Sequence, residues 1–167
     1  MRRRAGGRRG RLGQGGGQDR PAPGLPCALL LERPGAVAAL PSFQEGLFHV
    51  QDLSSQLAAA VLEARPGQRV IDVCAAPGGK SLHMAQLMDG KGCVEARDLT
   101  DRKRELIEEN VRRSGFQNVY CKTWDARILD ASMEDRADLV IADRPCSGLG
   151  ILGKRQAIRW TMSAQQM

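Results

Sequence analysis

From Gly46 onward the apolar and polar positions of the chain recur with regular periods. Leu53, Leu57, Ala60 and Val61 return at helical spacing, with Asp52 and Ser54 as caps and Pro66-Gly67 as the stop. Residues 69–73, Arg-Val-Ile-Asp-Val, read as a short buried strand. That strand runs into 75–79, Ala-Ala-Pro-Gly-Gly, which no helix tolerates, and a new helix is expected from about Lys80 to just before the Asp-Gly-Lys-Gly of 89–92. A second strand over 93–96 is followed by Asp98, a Thr100 or Asp101 cap, and a charged helix over 102–113 closed by Gly115. Residues 118–122 and 138–142 make a third and a fourth strand. Strands alternating with helices at this spacing form right-handed βαβ units, so the expected fold is α/β, a Rossmann-like parallel sheet.

Upstream of Gly46 the periodicity fails. Residues 1–24 hold eight glycines among clustered arginines and are expected to be a disordered tail. Such a tail could touch RNA phosphates, but a solvated leader is the favoured reading. Pro26, Pro34 and Pro41 interrupt the short apolar stretches of 25–45, where little regular structure is expected. Residues 46–167 are read as one partial domain.

Composition changes this picture in three places. The net charge of +6 comes entirely from residues 1–20, with seven arginines and one acid, whereas the rest balances eighteen bases against eighteen acids. The basic character therefore describes the tail. At 4% aromatic residues the chain is poor in the platforms that base-stacking modules need. Its longest apolar run, 57–62, is far short of the roughly 18 residues of a membrane span, and the basic start lacks the apolar stretch of a secretory signal. Cys27, Cys74, Cys93, Cys121 and Cys146 are odd in number and widely spaced, with only His49 and His83 beside them. Reduced thiols, a cytoplasmic setting and no metal site are expected.

The chemistry-bearing residues fall at successive strand ends, where open α/β sheets bind ligands. Cys74, Ala75, Ala76, Pro77, Gly78, Gly79 and Lys80 form a small-residue loop after the first strand, which lets a ligand approach the backbone and offers helix-start amides to a carboxylate. Asp98, nineteen residues after Gly79, suits ribose hydroxyls; Asp125, past the third strand, suits an adenine amino group; Asp143 ends the fourth. Each alone reads as a turn or cap, but four in order describe a site for an adenosine-bearing cofactor. A triphosphate loop would need glycine where Cys74 stands, and the dinucleotide fingerprint fails at Ala76-Pro77-Gly78. S-adenosylmethionine, with ribose, adenine and a free carboxylate, remains. Lys80 is expected to pair with Asp143 at the pocket floor. Cys146, beside Pro145, suits alkylation of a pyrimidine ring carbon, in which a thiolate adds to C6 and so activates C5; an inert thiol is the structural alternative.

Residues 46–55 (Gly-Leu-Phe-His-Val-Gln-Asp-Leu-Ser-Ser), the 74–80 loop, 96–100 (Ala-Arg-Asp-Leu-Thr) and 142–150 (Ala-Asp-Arg-Pro-Cys-Ser-Gly-Leu-Gly) together resemble the RNA 5-methylcytosine methyltransferases of the RsmB/NOP type. The resemblance implies a class I methyltransferase fold and methyl transfer from S-adenosylmethionine to C5 of cytosine in RNA, ribosomal RNA in particular. It makes residues 74–80, Asp98, Asp125 and Asp143 the cofactor contacts, and Cys146 the cysteine that assists release of the methylated base. In that family the nucleophile is a second cysteine, in a Thr-Cys motif that residues 1–167 do not contain. Arg144 stands where the family has a small or apolar residue. The expectation is therefore a chain carrying the cofactor half of such an enzyme, its sheet incomplete after the fourth strand and residues 139–142 an apolar edge, unable to turn over alone. Arg144, Lys154, Arg155 and Arg159, with no acid after Asp143, could hold RNA phosphates. The rival readings are a DNA cytosine-C5 methyltransferase with Cys146 as nucleophile and a non-catalytic cofactor- or RNA-binding remnant.

Overall fold

The protein is described here by a computed structural model that covers residues 18–25, 27–32 and 35–144. Its main sheet has four parallel strands: β3 (Arg69–Asp72), β4 (Cys93–Asp98), β5 (Val119–Thr123) and β6 (Leu139–Ile141), in the order β5-β4-β3-β6. The first strand of the sheet thus lies at its centre. From it the chain winds outward through α3 (Gly79–Leu87) to β4 and through α4 (Asp101–Ser114) to β5, then crosses back to lay β6 on the opposite side of β3. The order therefore reverses beside β3, which is where such sheets leave a crevice at their carboxyl ends.

The alternation within strands decides the two faces. Register pairs Val70 with Val94 and Leu139, and Asp72 with Ala96 and Ile141, so these side chains share one face with Val119. Met84 and Ala85 of α3, Met88 just past its end, and Ile107 of α4 close over it, all fully buried. The opposite face carries Ile71, Glu95, Arg97, Tyr120, Lys122 and Val140 and is crossed by the 124–136 connection, which includes a 3-10 turn, Ala131–Met133. Arg97 is buried there, paired with Glu95 and Asp130 at 2.5 and 2.9 Å and 5.5 Å from the Trp124 ring.

Two sequence boundaries need correction. Gln18–Pro21 is a strand, β1, paired antiparallel with β2 (Leu29–Glu32), so residues 18–24 do not belong to a disordered tail. Residues 25–45 hold β2, a 3-10 turn (Val37–Ala39) and a one-turn helix, α1 (Pro41–Gln44), rather than irregular chain. The cause is a small apolar cluster of Ala22, Leu25 and Ala28, packed against Leu30 and against Ala60 of α2 (Leu53–Val61). Proline and glycine hide its periodicity, because here they make the turn, with Gly24 at φ +74°. Residues 1–17 and 145–167 lie outside the described residues.

Candidate functional site

The loop between β3 and α3 begins at a buried carboxylate. Asp72, 1% exposed, closes β3 and accepts a 2.7 Å bond from Ser81 Oγ. Burial pushes its carboxyl up to about 6, against the opposing effects of Ser81, the Cys74 amide and Lys80. The loop then passes Ala75, whose amide donates to the Arg97 carbonyl at 2.8 Å, and a cis Ala76–Pro77 bond. Gly78 adopts φ +104°, and a Cβ there would come within 3.3 Å of Ile107 Cγ2. Only glycine suits that position. Gly79 opens α3, whose first-turn amides have no acceptor within the helix.

Asp98, at the end of β4, is brought directly against this loop. It is 4% exposed; Oδ2 accepts from the Ala76 amide at 3.0 Å, and Oδ1 from the Leu99 amide and Lys103 Nζ, each at 2.8 Å. Burial works to raise its carboxyl, but these bonds outweigh burial and hold it below the ordinary carboxylate value. Of about four acceptor positions three are taken, which leaves one on Oδ2. The Asp98 carbonyl accepts from the Trp124 amide at 2.8 Å, so the start of the 124–136 connection is tied to the same strand end. Asp125 follows immediately. Its carboxylate is gripped by Arg127, from the guanidinium at 2.6–3.1 Å and the amide at 3.0 Å, which lowers its carboxyl to about 2.

At the reversal of strand order, Lys80 Nζ lies 2.5 Å from Asp143 Oδ2 and 3.4 Å from Ser55 Oγ of α2. The expected Lys80–Asp143 pair is present, with the lysine side chain 18% exposed and the carboxylate 54%. Gln51, just before α2, lies against Gly79, and both atoms of its side-chain amide are buried without a hydrogen-bond partner. Cys74 is half-buried, and burial together with Asp98 and Asp72 raises its thiol, so it is a loop-packing residue with little thiolate character. The structure thus gathers residues 74–80, Asp98 and Asp143 around one crevice and sets Asp125 beside it under Arg127, whereas Cys146 lies outside the described residues. Sequence reasoning did not single out Ser81, Gln51, Lys103 or Arg127. Gln51 and Ser55 lie in the 46–55 stretch and Ser81 adjoins the glycine loop, whereas Lys103 and Arg127 carried no local signal.

A cavity of about 610 Å³ lies elsewhere, between the β1–β2 hairpin, α2 and α3, with Leu25, Leu30, Phe48, Ala60 and His83 among its walls. It shares Gln51 with the crevice and is also lined by Glu63 and Arg65, but it includes none of Lys80, Asp98, Asp125 or Asp143, so those four groups belong to the strand-end crevice and not to this space. Among the described residues no group of three or more His, Cys, Asp or Glu is placed to hold a metal, and no helix is long and apolar enough to cross a membrane.

A parallel sheet ordered β5-β4-β3-β6, with a small-residue loop after its central strand and acids closing the next strands, is the Rossmann-like fold of S-adenosylmethionine-dependent methyltransferases. Comparison with known proteins agrees. The family model of the 16S rRNA methyltransferase RsmB/F matches residues 59–167, and the chain belongs to that family. It is 39% identical over 128 residues to the probable ribosomal RNA small subunit methyltransferase B of Bacillus subtilis (strain 168), a match covering 76% of this chain and 29% of that protein. The tRNA (cytosine(72)-C(5))-methyltransferase of Pyrococcus horikoshii is 39% identical over 119 residues, 71% of this chain and 30% of that one. The solved structure of NSun6 from Pyrococcus horikoshii with SFG superposes with a TM-score of 0.69 at 33% identity, covering 84% of this chain and 36% of that chain. The chain spans about three-tenths of the length of the curated relatives it matches.

Proposed function

We propose that this chain carries the S-adenosylmethionine-binding portion of an enzyme that methylates C5 of cytosine in RNA, with ribosomal RNA as the substrate class. The observation that carries the reading is the junction of Asp98 with the 76–79 loop: a buried carboxylate with one acceptor position left, set against bare backbone. The donor set fits the cofactor. The open position of Asp98 Oδ2 accepts a ribose hydroxyl, and a second hydroxyl is accommodated when Lys103, 43% exposed, withdraws into solvent. The first-turn amides of α3 donate to the amino-acid carboxylate, and the unpartnered Gln51 amide beside Gly79 offers one more donor and acceptor. Asp125 accepts the adenine amino group once Arg127 yields an oxygen. When bound, S-adenosylmethionine supplies the activated methyl group.

Lys80 holds Asp143 at the floor of the crevice and braces it against Ser55. We assign Cys146, three residues beyond Asp143, the release of the methylated base, by the resemblance of residues 142–150 to the family. The family description and the names of the curated relatives support RNA as substrate. The odd number and wide spacing of the five cysteines in the sequence support a cytoplasmic setting.

Titration calorimetry tests the reading. Charge-assisted bonds of this kind are worth about 1.5–3 kcal/mol each, so Asp98→Ala is expected to weaken S-adenosylmethionine binding by about tenfold or more. Unchanged affinity in that variant, or a preference of the unaltered protein for ATP or NAD, would overturn it.

A further inference from the structure

The 74–79 loop has no side chain long enough to anchor itself. Cys-Ala-Ala-Pro-Gly-Gly must be held from outside, and one side of α4 does much of the holding. Ile107, Asn110 and Arg113 follow one another at i, i+3 spacing and are therefore neighbours on the helix surface. Fully buried Ile107 lies beneath Gly78. Asn110 Nδ2 donates to the Pro77 carbonyl at 3.0 Å and, at 3.2 Å, to the Leu106 carbonyl of its own helix. Its Oδ1 accepts from Arg113 Nη2 at 3.1 Å, which fixes the amide orientation.

Arg113 extends the same chain of contacts to the other wall of the loop. Nη1 donates to the Phe43 and Phe48 carbonyls at 2.9 and 3.0 Å, and the guanidinium lies 3.9 Å from the centre of the Phe43 ring. Gly46, at φ +71°, passes so close that a Cβ there would fall 1.6 Å from the Arg113 carbonyl oxygen. Three residues past Phe48 comes Gln51, whose buried, unpartnered amide lies against Gly79. One helix thus sets the position of the loop through Pro77 and of the segment facing it through Phe43 and Phe48.

We propose that Asn110, oriented by Arg113, is a positioning residue for the amino-acid end of the cofactor. It fixes the loop at Pro77–Gly79 relative to Gln51, while Asp98 serves the adenosine end. The inference rests on the S-adenosylmethionine reading of the crevice. Asn110 is only half-buried and fills no core space, so its contribution is geometric rather than one of bulk packing.

The test separates the two ends of the ligand. Calorimetry on the full 167-residue chain compares S-adenosylhomocysteine, which has the amino-acid end, with 5′-methylthioadenosine, which lacks it. Asn110→Ala is expected to weaken the first by about three- to tenfold, the loss of one neutral hydrogen bond and the order it imposes, and to leave the second within about twofold. Asn110→Asp keeps the bond from Arg113 but sets a carboxylate oxygen against the Pro77 carbonyl, and is expected to show the same selective loss. Equal weakening of both ligands in the two variants, or no weakening of either, overturns the positioning role while leaving the adenosine site standing. An unaltered chain that binds neither ligand overturns the cofactor reading and this inference with it.

Discussion

Asp72 shows how a single residue reports on the crevice. Its carboxyl is raised from 3.8 to about 6, first by burial, so the folded chain holds a proton that the unfolded chain has already released. The resulting stability is complete below about pH 4 and is lost as pH rises through about 6. Its size is of the order of 3 kcal/mol. Carboxylates held low, such as Asp98, act in the opposite sense and lose their contribution as pH falls through their folded values. Comparison of Asp72→Asn with the unaltered chain isolates the buried group: urea midpoints should decline from pH 4 to pH 7 more steeply in the unaltered protein than in the variant. Parallel pH profiles would mean that Asp72 is not the protonated group.

Among the elements, the α3 start and α4 matter most, because the loop between β3 and α3 is packed down on Ile107. Gly78→Ala places a Cβ at φ +104° and 3.3 Å from Ile107 Cγ2. A left-handed alanine costs about 1–2 kcal/mol before any displacement, so the variant should unfold at lower denaturant and bind cofactor more weakly. Binding and midpoint both unchanged would show that the loop tolerates a side chain there. The strands and helices from Leu53 to Ile141 were legible in the sequence to within a few residues at each end, because each buries one face and carries the matching period. Of the two caps read for α4, Thr100 or Asp101, Thr100 takes the position, its hydroxyl accepting from the Lys103 amide at 3.4 Å, and Gly115 closes the helix at φ +73°. The β1–β2 hairpin was not legible. Its apolar residues, Ala22, Leu25, Ala28 and Leu30, follow no single period, and their burial depends on Ala60, some thirty residues further along. Asp98 and the glycine loop could be read because their spacing follows the βαβ unit. Lys103 and Arg127, which bond to Asp98 and Asp125, could not, since nothing in a charged helix or a surface turn marks one basic residue as the partner of a particular carboxylate.

At the scale of the whole molecule, α3 and α4 cover one face of the sheet, and among the described residues the other carries a cluster of Glu95 and Asp130 around buried Arg97, beside exposed Tyr120, Val140, Ile128 and Leu129. The helix-covered core supports the strand-end crevice; the cluster on the opposite face anchors the connection that carries Asp125. The crevice with its ordered acids and the 610 Å³ cavity beside the hairpin are alternative places for a ligand. A crystal structure of the chain with S-adenosylhomocysteine discriminates between them directly. The ligand is expected across the carboxyl ends of β3, β4 and β5, with its ribose on Asp98 Oδ2, its amino-acid end at Gly78–Gly79 and its adenine beside Asp125. Density in the cavity by His83 and Phe48, with the Asp98 carboxylate still bonded only to Ala76, Leu99 and Lys103, would contradict the account.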